Sequence, residues 1–150
     1  MRTITLNVGK DTVWEEVAKA ASYTGGKMTD DKDAYERIML TDDDRKSLQR
    51  FWEEAAAVAN DQLKEMILSA SPMAEDYSVE LEVSNSYDTQ LNGSVQTALE
   101  GYFVAAILAR WYKFANKGEA QGYAADAGAM MQDALRKLYS RKRPQRPKRN

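Results

Sequence analysis

The residue types behind most enzyme chemistry are missing from this chain. It has no cysteine and no histidine. A disulfide framework, a thiolate zinc site and a cysteine nucleophile are thereby excluded. So are imidazole ligands, the usual acid–base group near neutral pH, and every Ser-His or Cys-His triad. Carboxylates remain, and their spacing suits neither catalysis nor metal binding. Asp30-Asp31-Lys32-Asp33 lacks the alternating oxygen ligands, the glycine and the closing glutamate of a calcium loop. Asp42, Asp43 and Asp44 are consecutive, and neighbours on a helix point about 100° apart. They therefore do not converge on an ion, and they suit the positive end of a helix dipole instead. Glu53 and Glu54 read as a solvated helix face. Gly25-Gly26 lacks the Gly-x-x-x-x-Gly-Lys frame of a phosphate loop and follows a helix, not a strand. No catalytic residue, metal ligand or cofactor is expected. The composition favours a structural or binding protein over an enzyme.

One segment does call for a partner. The net charge of −2 conceals a separation of sign. Of the 21 Lys and Arg, eight lie within residues 136–150, which hold no acid. Residues 1–135 keep thirteen bases against 23 acids, a net of −10. The body is acidic and the end basic. The last ten residues, RKRPQRPKRN, hold Arg141, Lys142, Arg143, Arg146, Lys148 and Arg149, with Pro144 and Pro147. Such a composition does not fold alone. Its prolines favour an extended chain, partly ordered in advance for docking. Three readings stand. The segment is a solubilising end, an arm that displaces counterions from nucleic acid, or an arm that docks into an acidic surface of another protein. The charge of the body opposes DNA binding.

The elements that must carry this arm follow from periodicity. The chain has 150 residues and is 43% apolar, enough for one domain with its own core. Residues 3–8 (TITLNV) alternate and predict a strand. Thr12-Val13-Trp14-Glu15 reads as a capping box opening a helix that Gly25-Gly26 stops. A polar loop over 27–33 and a short helix over 34–40 follow. Thr41 opens a long helix whose stripe runs from Leu48 through Phe51, Trp52, Ala55, Ala59, Leu63, Met66 and Ile67 to Ala70, and Ser71-Pro72 ends it. Residues 77–83 (YSVELEV) alternate again. An isolated strand needs a partner, and 3–8 is the one available. A loop spans 84–92.

Residues 94–116 form the most apolar helix. Val95, Leu99, Tyr102, Phe103, Ala106, Ile107, Ala109, Arg110 and Phe114 circle its axis, so it is buried on more than one side. The turn Asn116-Lys117-Gly118 leads into a last helix, 119–141, with Ala120, Tyr123, Ala124, Ala127, Met130, Met131, Ala134, Leu135 and Leu138 on one stripe. The pair makes an antiparallel hairpin. Tyr102, Phe103, Trp111, Tyr112 and Phe114 read as core rather than as a base-stacking platform. Trp111 and Tyr112 cannot both face that core, so one of them belongs at a subunit contact. The expected fold is mainly α: a helical bundle with two long C-terminal antiparallel helices and a small two-stranded β element. Residues 1–140 make one helical domain, and 141–150 are a basic extended tail.

The start, MRTITLNVGKDTVWEE, has no apolar segment of a secretory signal. The longest apolar stretch, about Tyr102 to Ala109, falls far short of the roughly 20 residues that span a membrane. A soluble intracellular protein without membrane contact is expected.

The order of these features resembles the neck proteins of tailed bacteriophages, the head-to-tail connectors or adaptors beneath the portal. The likeness runs over most of the chain. It rests on the long helix entered at Thr41-Asp42-Asp43-Asp44 and on the β excursion at 77–83. It continues through Leu108-Ala109-Arg110-Trp111-Tyr112, Tyr123-Ala124-Ala125-Asp126-Ala127 and the ending Leu138-Tyr139-Ser140-Arg141-Lys142-Arg143-Pro144. The resemblance implies a structural virion protein, present in the host cytoplasm during assembly. It implies a homo-oligomeric, typically dodecameric ring whose C-terminal segment docks on the portal. The other side receives the next neck protein or the tail, and genomic DNA passes without sequence-specific binding. An acidic conduit suits that passage, because like charge leaves DNA no binding wells. The alternative is a DNA-binding accessory or regulatory protein that uses the basic C-terminal tail.

Overall fold

The structure, a computed structural model, describes residues 1–28, 42–113 and 116–142, and their side chains outside 21–28 and 42–45. The alternation at the start of the chain forms β1 (Arg2–Val8), with Ile4, Leu6 and Val8 buried. The alternation at Tyr77–Val83 forms β3, with Tyr77, Val79, Leu81 and Val83 buried. The two strands pair antiparallel, Ile4 opposite Leu81 and Leu6 opposite Val79. Their apolar side chains thus line one face, while Thr3, Thr5, Glu80 and Glu82 share the other.

The sheet has a third strand, β2 (Ile67–Ala70), on the far side of β3. This corrects the expectation of two strands and of a helix continuing to Ala70. The helix, α2 (Asp42–Leu63), stops seven residues earlier. The Met66 amide closes the turn onto the Leu63 carbonyl at 2.9 Å. From there the chain pairs with β3: Glu82 N–H donates to Met66 O and Ser71 N–H to Ser78 O, both at 2.8 Å. A central β3 with one neighbour would leave half its backbone groups unpaired, and β2 satisfies them. A bulge between Ile67 and Ser69 keeps Ile67 opposite Leu81 and turns Leu68 outward, 52% exposed.

The first helix, α1 (Lys10–Met28), also departs from expectation. It starts two residues before the proposed capping Thr12, which lies inside its first turn, so that capping box does not define its start. The Lys10 amide is taken by Asp76 Oδ1 at 2.9 Å, a carboxylate from the β2–β3 turn. The helix also runs through Gly25-Gly26 rather than stopping there. The short helix expected at 34–40, most of the 27–33 loop, and Thr41 lie outside the described residues.

The loop after β3 contains a 3-10 turn, Thr89–Leu91, whose first free amide, Gln90 N–H, donates to Asp88 Oδ1. Helix α3 (Asn92–Tyr112) follows and touches α1, α2, β1 and the last helix, α4 (Lys117–Leu138). It is buried on more than one side, as expected, while Thr97, Glu100, Gly101 and Val104 form a strip that is exposed or half-buried; Ala109 and Arg110 are half-buried, and Phe114 is outside the described residues. α4 lies antiparallel on α3, as the two-helix hairpin requires. Only Ala127, Met131, Ala134 and Leu138 of its stripe are buried, while Ala124 and Met130 face solvent. It ends at Leu138, three residues before the expected limit.

The centre of the core is aromatic. Phe103 of α3 stacks on Trp52 of α2 at 4.6 Å between ring centroids. Tyr77 of β3 tilts against it at 5.0 Å, and Tyr102 meets it edge-on at 5.3 Å. Trp14 of α1 tilts onto Trp52 at 5.9 Å. The polar tips of three of them find partners: Trp52 Nε1–H donates to Glu75 O, Tyr77 O–H to Asn60 Oδ1 and Tyr102 O–H to Ala55 O, all between 2.8 and 2.9 Å.

Two outcomes follow from this core. Phe103→Ala should cost about 3–5 kcal/mol, whereas Gln121→Ala on the exposed face of α4 should cost under about 0.5 kcal/mol, both read by denaturant melts. Burial pushes the Tyr102 phenol up to about 12, against a smaller opposing pull from Arg110. Burial, with a smaller push from Tyr102, raises Tyr77 as well. Both groups are held neutral in the fold, so their stabilisation is complete below pH 10 and is lost as pH rises from there towards 12. In a phenolate absorbance titration these two should resist ionisation above pH 10. The stability of Tyr102→Phe should fall less steeply above pH 10 than that of the parent.

Candidate functional site

Trp111 and Tyr112 close the C-terminal end of α3, where the chain turns into α4. Asn116 caps α4: its backbone is extended, its Oδ1 accepts from Glu119 N–H at 3.2 Å, and its own N–H donates to Tyr112 O at 2.8 Å. This cap aligns Tyr112 with Tyr123 of α4, and the rings stack at 5.8 Å and 11°. Tyr112 is 1% exposed and belongs to the interior. Trp111 is half-buried at the core margin, and of the two it alone offers area to a second copy.

The basic end begins on α4. Arg136 and Lys137 both grip Asp133, at 2.5 and 2.7 Å, and Lys137 Nζ also reaches Ser94 Oγ. The hydrogen bond from Lys137, with Arg136 beside it, holds the Asp133 carboxyl below its ordinary value. Two of the eight bases are therefore engaged within the body. Beyond the helix, Lys142 N–H donates to Ser86 O at 2.7 Å, and Lys142 Nζ stands 3.8 Å from Asp88. The root of the tail is thus fastened to the β3–α3 loop. Arg141 and Lys142 are exposed there; Arg143, Pro144, Arg146, Lys148 and Arg149 lie outside the described residues.

Two features were hidden from the linear reading. Glu54 is not merely a solvated residue: its Oε2 accepts from Arg110 Nε at 3.0 Å, tying α2 to α3, while Glu53 is half-buried. A groove of about 410 Å³ also opens between α1, α3 and α4. Its floor is apolar, with Val104, Leu108 and Tyr123, and Glu16, Glu100 and Asp126 stand around it, one from each helix. No spacing rule could gather three carboxylates that lie so far apart along the chain. Among the described residues, no group of three or more carboxylates is placed to hold a metal ion, and no helix is long and apolar enough to cross a membrane.

Comparison of the chain with protein-family models, with curated proteins and with solved structures finds no match.

The tail root yields a contrast between two substitutions. Asp88→Ala removes the acceptor for Gln90 N–H and should cost about 1 kcal/mol. Lys142→Ala loses only an exposed, long ion pair and keeps the backbone bond to Ser86, so it should cost under about 0.5 kcal/mol. Thermal melts of the two variants check the order.

Proposed function

We propose that this protein is a structural component of the neck of a tailed-bacteriophage virion. Copies form a ring that docks on the portal and links head to tail around the DNA conduit. Residues 141–150 are its arm for an acidic protein surface in that assembly. The observation that carries the reading is the separation of charge: thirteen bases against 23 acids in residues 1–135, and eight bases with no acid in 136–150. An acidic wall repels the passing duplex, and a basic arm matches an acidic protein. The half-buried Trp111 supports a lateral contact between copies, since aromatics with one wet edge are favoured there. The absence of cysteine and histidine suits a protein whose task is assembly.

Deleting residues 143–150 tests this. The deletion spares the Lys142 bond to Ser86, so stability should change by less than about 0.5 kcal/mol. Docking to purified portal should be lost, and heads should fill without joining tails. Unchanged docking would reduce the arm to a solubilising end. Tight, steeply salt-dependent binding of the full chain to duplex DNA, lost with the arm, would replace the neck reading with a DNA-binding regulator.

A further inference from the structure

The groove between α1, α3 and α4 is an apolar trough with carboxylates at its margin. Val104, Leu108 and Tyr123 form its floor. Glu16, Glu100 and Asp126 surround it. Among the described residues, Glu16 has one basic partner, Lys19, in an exposed pair at 3.5 Å, and neither Glu100 nor Asp126 has any. Met130 forms one wall and sits so close over Gly101 that a Cβ there would lie 2.5 Å from its Sδ. The missing side chain at Gly101 is what lets Met130 of α4 pack this closely on α3 beside the trough.

Such a trough suits an extended segment with apolar flesh and positive edges. We infer that it receives residues 143–150 of a second copy of this chain. The segment has the matching pattern. On the three-residue period of polyproline II, Arg143, Arg146 and Arg149 fall on one edge and Pro144 and Pro147 on another. The prolines suit the floor, and the arginines suit the carboxylates. The lengths agree. Eight residues in that conformation reach about 25 Å, and the trough follows α3 from Thr97 to Leu108, a rise of roughly 17 Å.

Two further observations narrow the occupant. Prolines three apart point to opposite sides of a strand, so one would always face the ladder, and the segment cannot add to the open edge of β1. The chain's own tail is also badly placed. It is rooted at Ser86 and Asp88, and to reach Asp126 along α4 it must run its bases past Arg136 and Lys137. A neighbour's tail can enter from the Leu108 and Tyr123 end, on the far side from Arg136 and Lys137. The inference rests on the neck reading for the ring alone: the arm joins neighbouring copies, and its deletion abolishes portal docking by keeping the ring from closing.

Sedimentation equilibrium of the full chain at low ionic strength tests it, with no other component present. The weight-average mass should rise with concentration. Glu100→Lys with Asp126→Lys should weaken association roughly tenfold or more, as should Arg146→Glu with Lys148→Glu. Both pairs of changes are made outside the core, and circular dichroism melts would verify that each variant folds. Mixing the two variants should restore association, because the reversed charges again match. A wild-type chain that stays monomeric at every concentration overturns the inference. So does association that either charge-reversed variant retains in full, or a mixture that fails to recover. Absent self-association with portal docking still lost on deletion of 143–150 overturns this inference and leaves the neck reading standing, so the two failures are distinguishable.

Discussion

Burying α3 over most of its circumference obliges the rest of the chain to surround it. Ten of its residues are buried, and the strip of Thr97, Glu100, Gly101 and Val104 stays open to the groove. A helix with so narrow a wet face needs cover on its other sides, which three helices and a sheet supply. Phe103 is where those covers meet: α2 through Trp52, the sheet through Tyr77, and α3's own Tyr102. Trp52 carries the constraint outward, because its indole N–H holds the Glu75 carbonyl in the β2–β3 turn. The next residue, Asp76, takes the first amide of α1. One stacked pair thus reaches, through two hydrogen bonds, to the start of the first helix.

How much of this was legible depended on the range over which each signal acts. The alternation of Ile4, Leu6 and Val8, and of Tyr77, Val79, Leu81 and Val83, names two strands with one apolar face each. Having no other partner, they had to meet, and they do. The all-round apolar run of α3 and the Asn116 turn gave the hairpin with α4. β2 was illegible because Met66, Ile67 and Ala70 continue the helical stripe of α2. What ends that helix is the backbone demand of β3, a strand that starts fourteen residues beyond Leu63. Thr12 and Glu15 had the right types for a cap, yet Asp76 occupies the amide from a distant turn. Local pattern cannot weigh a competitor that arrives through the fold.

The same limit governed the functional surface. The basic end was plain in composition, whereas the groove that complements it was not. Glu16, Glu100 and Asp126 each read alone as an ordinary solvated acid. Only the packing of α1 and α4 against α3 makes them neighbours around an apolar floor. Tyr112 and Trp111 show the converse. Sequence held that both cannot face the core; Tyr112, stacked on Tyr123, is fully buried, and Trp111 is half-buried against the same core.

The charge separation then has a structural logic. A net of −10 over residues 1–135 is a self-repulsion that a compact body must bear. Engaging Asp133 with Arg136 and Lys137 relieves some of it at the end of α4. The six bases of residues 141–150 lie past that helix, held to the body at Lys142. Placed inside the body, they would form ion pairs and neutralise it. Kept out of residues 1–135, they leave that part of the chain acidic and gather positive charge at its end. A single chain then presents both halves of a complementary contact, and such a contact is satisfied between copies without a second kind of protein. Head-to-tail contacts of this sort are heterologous, and where the rotation between copies closes they generate rings.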